Sequence, residues 1–335
     1  MQFLHNIFCI ILCFLFSLDH FKAENLNIST VTLKTHLNES KELMIDDEEI
    51  TRRVVNGVKA NLGQVPFIVS FKGGSWSRGV FRGTNYCGGT LVAPAKILSA
   101  AHCFCRTKKT CGIARNTPKS LKNKFAVMGQ LTNKATYSSK KKNEGQWRTL
   151  KNLTYHSSYS FPQNDIAILF TTEPFELNQQ VNTINFARSH KDYTGHCTVA
   201  GFGRTETNKA SSHLLMATVQ IIRTHECRRR VGRRHRNLHT YKIICSTKSI
   251  ADTGKGDSGG PLFCSSTGEK GESSFGILVG IVSGTVPRRT GVSFYTRTSS
   301  FAGYIDRNEA RPMMQYTHSM CVGIFLILNL CNGRP

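Results

Sequence analysis

The segment "GDSGGP", residues 256–261, contains the residue with the clearest potential for nucleophilic chemistry, Ser258. A serine hydroxyl attacks a carbonyl carbon efficiently only when a base removes its proton. That base works best when an acid fixes its tautomer and stabilises its cation. A nucleophilic Ser258 therefore requires a histidine and a carboxylate from elsewhere in the chain.

Two other segments offer those partners. Of the twelve histidines, His102 stands out because "LSAAHC" places it at the end of an apolar stretch, beside a cysteine that would fix the turn. Asp165 opens the apolar stretch "DIAILF", where a buried carboxylate without a partner would be costly. Each residue alone is weak support, because most buried histidines and aspartates are satisfied structurally.

The elements that must position these residues are short strands. From Val54 onward, the apolar stretches "FIVSF", "FAVMG", "DIAILF", "CTVAGF" and "GILVGIVSG" are separated by Gly, Asn, Pro and Ser. This pattern predicts an antiparallel all-β domain without alternating helices. Residues 299–310, "SSFAGYIDRNEA", predict one terminal helix, because Phe301, Tyr304 and Ile305 follow a helical spacing.

Taken in order, "LSAAHC", "NDIAIL" and "GDSGGP" resemble the trypsin and chymotrypsin family of serine peptidases. The resemblance extends from "RVVNG", which begins at Arg53, to the predicted terminal helix. It implies two packed six-stranded antiparallel β-barrels with the active site in the cleft between them. It also implies that His102 is the general base, Asp165 orients it and Ser258 is the nucleophile. The order His, Asp, Ser differs from the orders in subtilisins and α/β-hydrolases.

The same resemblance implies an oxyanion hole and an activation step. The backbone N–H groups of Gly256 and Ser258 would stabilise the oxyanion. Cleavage after Arg53 would free Val54, whose ammonium group would pair with the buried carboxylate of Asp257. Before cleavage that ion pair is missing, so the resemblance implies a zymogen that is switched on by proteolysis.

The resemblance also implies the substrate preference. Asp252 precedes Ser258 by six residues and matches the carboxylate at the bottom of the family's primary pocket, which selects Arg or Lys. Ser283 and Thr285 would line the strand that binds substrate, and Ser283 would also support the catalytic acid. Cleavage after basic residues is therefore expected.

Three features depart from the family pattern around this pocket. Gly254 stands where the family has a cysteine, and residues 280–298 contain no partner cysteine. The usual Ser-Trp-Gly strand appears as "SGT" at 283–285, which leaves open a Trp-to-Gly replacement or a shifted register. The usual pocket glycine corresponds either to Ser293 or to Gly291, and a side chain at this point would narrow the pocket.

The twelve cysteines include no CxxC pair, which favours disulfides over a zinc site in a secreted chain. The resemblance implies three pairs: Cys87–Cys103, Cys197–Cys264 and Cys227–Cys245. Cys105 and Cys111 are expected to close a small extra loop on each other. The family's calcium loop usually supplies acidic ligands, but here it offers only Glu144 among lysines, so neither a metal nor a cofactor is expected.

The ends of the chain differ from this domain. The apolar run "IFCIILCFLFS" predicts a signal peptide over residues 1–23, with a signal anchor as the alternative. Residues 24–53 are polar and aperiodic, and we interpret them as an activation propeptide ahead of a peptidase domain at 54–310. Residues 311–335 form an extension whose apolar part is shorter than a membrane span.

The net charge and the glycosylation sequons indicate the binding partners and the location of the protein. The formal net charge is +23, which favours anionic partners, and residues 227–236, "CRRRVGRRHR", are the densest basic cluster. This cluster has three interpretations: a site for sulfated glycans, a solvated loop, or a surface that holds the acidic residues 46–49 before activation. The lack of interleaved aromatic residues argues against a specific nucleic-acid site. The sequons at Asn27, Asn38 and Asn152 fit a glycoprotein.

The combined prediction is a secreted, extracellular, monomeric serine endopeptidase that cleaves protein substrates after Arg or Lys. Inhibitors of the serpin type or other protease inhibitors are expected partners. The alternative is a catalytically weak or inactive homologue that binds polyanions through its arginine-rich surface. An intact triad and an activation site favour the enzyme, whereas the altered pocket favours the homologue.

Overall fold

The computed structural model describes residues 53–55, 57–105, 121–133, 136–138, 140, 143–203, 210–231, 238–247, 252–254, 256–286 and 291–308. The chain divides into two units, residues 1–47 and 48–335, and all described residues belong to the second. The predicted signal peptide, the propeptide up to Arg52, Cys111 and the extension 311–335 lie outside the described residues.

The described residues form sixteen strands and two α-helices. The strands are β1 (Arg53–Val55), β2 (Val58–Lys59), β3 (Ile68–Ser77), β4 (Val80–Ala93), β5 (Lys96–Ser99), β6 (Lys124–Met128), β7 (Thr136–Ser138), β8 (Gln146–Tyr155), β9 (Ala167–Thr171), β10 (Gly195–Gly201), β11 (Leu215–Ile222), β12 (Ile243–Thr247), β13 (Asp252–Gly254), β14 (Pro261–Cys264), β15 (Ile277–Val286) and β16 (Val292–Arg297). The helices are α1 (Thr224–Val231) and α2 (Ala302–Arg307), and short 3-10 turns span Ala101–Cys103, Thr240–Lys242 and Thr298–Phe301.

The first half of the domain is a closed barrel. Its strands follow the order β3-β6-β8-β9-β5-β4, the β3–β4 pairing closes the ring, and β7 adds to β4. The side chains of Val69, Phe71, Leu91, Ile97 and Leu169 are buried in its interior. Closure leaves the six strands of the ring without a free edge.

The second half is built in the same way. Its strands follow the order β10-β14-β15-β16-β12-β11, the β10–β11 pairing closes the ring, and β2 adds to β11. Strand β11 shows how sequence produces this barrel: Leu215, Ala217, Val219 and Ile221 are buried, while the residues between them are less so. Alternation with period two places one face of a strand in the core. The predicted pair of six-stranded antiparallel barrels is therefore confirmed.

A shared apolar layer joins the two barrels. Phe67 and Leu98 from the first barrel lie in one cluster with Phe263 and Ile281 from the second, and the ring centroids of Phe67 and Phe263 are 5.1 Å apart. Helix α2 packs Ile305 into the same cluster. Because this layer fixes one barrel against the other, side chains from both barrels can be held together with precision.

The helices differ in part from the sequence prediction. The terminal helix is present, but its first turn is a 3-10 turn and α2 itself ends at Arg307. Helix α1 was not predicted, because its run of arginines looked like a loop. It begins at Thr224, whose hydroxyl donates to Asp192, and an ion pair between Glu226 and Arg230 spans one turn. No described helix is long and apolar enough to cross a membrane.

Candidate active site

His102 and Asp165 meet because the strands that carry them are paired. Strands β5 and β9 run antiparallel with Ser99 opposite Ala167, so the turn after β5 lies beside the residues just before β9. His102 Nδ1 is 2.7 Å from Asp165 Oδ2, and the His102 backbone N–H donates to Asp165 Oδ1 at 2.9 Å. The carboxylate therefore holds both the ring and the backbone of the histidine.

The second barrel supports this pair from the other side. The Ser283 hydroxyl on β15 donates to Asp165 Oδ2 at 2.5 Å, and Thr296 Oγ1 on β16 donates to the Asp165 carbonyl at 2.8 Å. Asp165 is fully buried. Burial alone would raise the pKa of this carboxyl, but His102 and the hydrogen bonds from Ser283 and the His102 backbone together lower the pKa below its usual value. Asp165 therefore remains ionised.

Ser258 lies in a tight turn between β13 and β14. Its carbonyl accepts a hydrogen bond from the Gly88 N–H at 2.7 Å, which ties the turn to β4 of the first barrel. The next residue, Gly259, has a φ of +82° and its N–H donates to Val282 of β15 at 2.8 Å. A Cβ at Gly259 would lie 2.2 Å from Ser99 Oγ, so only glycine fits this turn.

Ser258 and His102 both lie next to the disulfide between Cys87 and Cys103. Cys103 Sγ is 4.0 Å from His102 Nε2 and 3.5 Å from the carbonyl oxygen of Ser258. Both residues are described, and no hydrogen bond joins Ser258 Oγ to His102 Nε2. Such a bond commonly tightens only when substrate binds. The structure thus brings the three residues of the predicted triad into one cleft between the barrels.

The backbone around Ser258 offers free donors. The N–H groups of Gly256 and Ser258 donate to no described residue, and Gly256 has a φ of +105°. The Gly256 carbonyl accepts a hydrogen bond from Asn85 Nδ2 at 3.1 Å, and Asn85 Oδ1 accepts one from Ser70 Oγ at 2.6 Å. Ser70 and Asn85 are not evident from the sequence, because no motif signals a contact between residues 171 positions apart.

An aromatic ring next to the triad was also missed. The ring of Phe161 meets the His102 ring edge-on, with centroids 5.4 Å apart. Phe161 also packs against apolar clusters of both barrels. Phe161 lies two residues before the predicted catalytic segment "QNDIAIL", and this proximity is the sequence signal for the contact.

The predicted activation residues lie on the side of the second barrel. Strand β1 pairs with β13, with Val54 opposite Thr253 and Val55 opposite Asp252. Asp257 is 1% exposed, and its Oδ1 accepts a hydrogen bond from the Gly203 N–H at 2.8 Å. A Cβ at Gly203 would lie 2.0 Å from an Asp257 carboxylate oxygen, so a glycine is required where the carboxylate lies against the backbone.

Strands β15 and β16 carry the residues of the predicted pocket, and their pairing gives the position of each residue of "SGT". Strand β15 has a bulge between Val282 and Gly284, and Ser283 at the bulge points to Asp165. Bulges re-aim side chains in this way. Thr285 then lies opposite Ser293 of β16, and both are buried. Ser293 therefore lies opposite Thr285 of β15, whereas Gly291 precedes β16.

The structure contains the three disulfides that the resemblance implies, Cys87–Cys103, Cys197–Cys264 and Cys227–Cys245. Cys105 is also disulfide-bonded, and its expected partner Cys111 lies outside the described residues. Within the described part of the chain, one group of potential metal ligands occurs, formed by His102, Cys87 and Cys103. Their two sulfurs are bonded to each other and so cannot act as thiolate ligands.

The two barrels and the grouping of His102, Asp165 and Ser258 between them are typical of serine proteases. The sequence comparisons agree with this class. The Trypsin family model matches residues 54–305, and the chain belongs to this family of serine proteases. Their class is that of the hydrolases. The resemblance to this family is therefore confirmed.

Two curated relatives lie within the same class. The chain is similar to "Fibrinolytic enzyme, isozyme C" of Lumbricus rubellus, with 29% identity over 273 residues that cover 76% of this chain and 99% of that enzyme. It is also similar to "Venom serine protease" of Polistes dominula, with 27% identity over 220 residues that cover 63% of this chain and 69% of that protease.

Proposed function

We propose that this protein is a secreted serine endopeptidase that cleaves polypeptides after Arg or Lys. The observation that carries the proposal is the fully buried Asp165 carboxylate, which holds His102 Nδ1 at 2.7 Å while Ser283 binds the same oxygen. An ionised carboxylate behind an imidazole directs the free nitrogen, Nε2, toward the cleft. A purely structural histidine does not need this arrangement.

The proposed reaction follows from these positions. His102 Nε2 takes the proton of Ser258 Oγ as the oxygen attacks the substrate carbonyl, and the N–H groups of Gly256 and Ser258 stabilise the oxyanion. His102 then donates the proton to the leaving amine, which breaks the peptide bond and leaves an acyl group on Ser258. Water, deprotonated by His102, hydrolyses this ester and restores the enzyme.

Asp252 supports the proposed preference for basic residues. Its strand, β13, pairs with the activation strand β1 and precedes the turn that holds Ser258. The family resemblance assigns to this position the carboxylate that would bind a substrate guanidinium or ammonium group. Thr285 of β15 and Ser293 of β16 lie opposite each other. Their side chains would narrow the proposed pocket for the substrate side chain. We therefore expect the pocket to accept a long, unbranched basic side chain and to exclude bulky aromatic ones.

Activation by proteolysis completes the proposal. Cleavage after Arg53 would release Val54, and the buried Asp257 carboxylate is the group that its new ammonium would neutralise. The apolar segment 1–23, the sequons and the disulfides support secretion. Protein substrates and protease inhibitors are the proposed partners, and the proposed working form is a monomer without a cofactor.

The test is turnover of a library of short fluorogenic peptides by the protein cleaved after Arg53, beside Ser258→Ala and Asp252→Ser. We expect cleavage after Arg and Lys, none with Ser258→Ala, and loss of the basic preference with Asp252→Ser. Cleavage after other residues by the unaltered protein would keep the triad and overturn the pocket assignment. No turnover with a free Val54 would refute the enzymatic proposal.

A second candidate function is supported by helix α1. Arg228, Arg229 and Arg230 follow one another on this helix and are exposed, which suits a sulfated glycan. In this case the protein would be a weak or inactive homologue that binds polyanions. Elution from heparin at high salt without peptide turnover would favour this candidate over the enzyme.

A further inference from the structure

A groove with an apolar floor and basic walls lies on the first barrel. It measures about 420 Å³. Its lining includes Trp76, Leu121, Lys122, Lys124, Phe125 and Leu150, and none of the residues that line it is acidic. Leu121, Phe125 and Leu150 are buried beneath it, whereas Trp76 is 44% exposed.

Trp76 is held in place although its ring is exposed. It lies on the outer half of the β3–β4 hairpin, opposite Phe81, and meets the rings of Phe81, Tyr137 and Phe125 edge-on at 5.9, 6.0 and 6.3 Å. A large aromatic side chain that is fixed on one edge and open on the other is typical of a binding surface.

The surroundings of the groove add positive charge. Arg78 is exposed at the tip of the hairpin, and Lys140 is exposed just beyond β7, which pairs with the same hairpin. These exposed cations, which belong to the described part of the chain, favour an anionic ligand in the groove.

The groove begins beside the active site. Lys124 Nζ lies 5.8 Å from the centroid of the Phe104 ring and 5.7 Å from that of Tyr86. Phe104 follows the turn that carries His102, and Tyr86 precedes Cys87 of the active-site disulfide. The acyl part of a substrate would lie along β15 of the second barrel. The part after the cleaved bond would then extend over the first barrel, which carries the groove.

We propose that this groove binds an acidic segment of the polypeptide substrate, located after the cleaved bond and containing an aromatic or aliphatic residue. This inference rests on the proposed peptidase function and adds the substrate class. Carboxylates would pair with Lys122 and Lys124, while the apolar side chain would cover Phe125 and Leu150 beside Trp76. A sulfated glycan would satisfy the lysines but leave the apolar floor uncovered.

Binding is tested first without catalysis. The chain has two tryptophans, and Trp147 is buried, so Trp76 fluorescence reports on the groove. Ser258→Ala protein, cleaved after Arg53, is titrated with a peptide rich in Asp and Glu around one Phe, and with its Asn and Gln counterpart. We expect the acidic peptide to bind at least about tenfold more tightly, with an advantage that falls as salt increases.

Matched variants locate the binding. Lys122→Glu, at an exposed position that leaves the core intact, should weaken the acidic peptide about tenfold. Lys59→Glu makes the same charge change at an exposed residue of β2 on the second barrel and should leave the affinity unchanged. Equal weakening by both variants, or equal binding of the neutral peptide, would overturn the proposal. A heparin fragment that changes Trp76 fluorescence at a lower concentration than the peptide, and loses this effect in Lys122→Glu, would overturn the choice of a peptide.

Cleavage assays then test the groove and the proposed peptidase function separately. The substrates are arginyl peptides in which a spacer of increasing length joins the cleaved bond to the acidic segment. At the best spacer length, kcat/KM should be about tenfold higher than for the matching neutral peptide. Lys122→Glu should remove that gain and leave turnover of a short arginyl amide unchanged. Turnover of the short amide with no gain at any spacer would refute the groove alone. Failure to cleave the short amide would refute the peptidase function, while the titration would still decide the groove.

Discussion

At the scale of single residues, Asn85 fixes the peptide group between Gly256 and Asp257. Its amide donates to the Gly256 carbonyl, and its own carbonyl oxygen accepts the buried Ser70 hydroxyl. This chain fixes the backbone on the carbonyl side of Gly256, whose N–H is one of the proposed oxyanion donors. Asn85 is thus a positioning residue rather than a catalytic one.

Asn85→Ala should lower kcat by about tenfold to a hundredfold while KM changes little, because a misplaced oxyanion donor affects the transition state more than the bound substrate. The measurement is steady-state turnover of a short arginyl amide. Asn85→His restores a donor at this position and should recover part of the rate. A rise in KM with kcat unchanged would show that Asn85 acts on substrate binding instead.

Asp165→Asn should reduce kcat by about four orders of magnitude, because an amide cannot hold His102 in the required tautomer. Ser283→Ala removes one of the hydrogen bonds to the same carboxylate and should have a much smaller effect. Full retention of activity in Asp165→Asn, measured by turnover at neutral pH, would contradict the triad assignment.

The same residue makes stability depend on acidity. The pKa of Asp165 is lowered in the folded protein, so its contribution to the free energy of unfolding is fully present above the unfolded pKa of about 4. That contribution is lost as the pH falls through the folded pKa. The unfolding free energy should therefore drop more steeply below about pH 4 in the unaltered protein than in Asp165→Asn.

At the scale of elements, strand β3 buries a lysine that the sequence did not reveal. Lys72 is fully buried, and its ammonium group donates to Asn133 Oδ1 at 2.9 Å. Burial lowers the pKa of Lys72 to about 8, with a partly opposing effect of Glu144. The inner half of β3 is buried on both faces. Buried and exposed residues therefore do not alternate there, and the strand pattern cannot show that Lys72 is buried.

Because Lys72 is buried, the protein should be more stable at alkaline pH than at neutral pH. Its folded pKa lies below the unfolded value of about 10.4, so the cost of burying its charge is present below pH 8 and is relieved as the pH rises toward 10. The unfolding free energy should rise by on the order of 2 kcal/mol between neutral pH and about pH 9.5, relative to Lys72→Met. Denaturant unfolding at several pH values measures this difference, and parallel pH curves would contradict it.

Other elements show which features a sequence can reveal. The triad could be predicted because its members lie in three short contiguous motifs, "LSAAHC", "NDIAIL" and "GDSGGP", whose order resembles the family. The bulge at Ser283 was not, because "SGT" is compatible with more than one pairing and only β16 fixes the register. Helix α1 was missed because it depends on partners remote in sequence, namely Asp192 at its start and the disulfide from Cys227 to Cys245.

At the scale of the whole molecule, the strand pattern and the order of the motifs were sufficient to predict two barrels. The contacts between the barrels were not predictable, because hydrophobicity shows that Phe67 or Phe263 is buried but not which residue it meets. The groove on the first barrel was invisible for the same reason. Its residues come from β3, β6, β8 and the turn before β6, and no local pattern joins them.

The proposed activation depends on a pairing between two distant parts of the chain, Val54 and Asp257. Arg53→Gln should remain uncleaved at this bond and should turn over an arginyl amide at about a hundredth of the activated rate or less, because the ion pair between Val54 and Asp257 does not form. Amino-terminal mass measurement beside turnover checks both parts. Arg52→Gln is the matched control and should activate normally. An uncleaved Arg53→Gln protein with full activity would refute the zymogen proposal.

The division of the site between the barrels has a consequence for biosynthesis. His102 and Asp165 belong to the first barrel, whereas Ser258 and Ser283 belong to the second. A molecule in which only one barrel has formed holds either the base or the nucleophile, never both. Such an intermediate has no complete triad, so a protease of this design cannot hydrolyse neighbouring proteins before its own folding is finished.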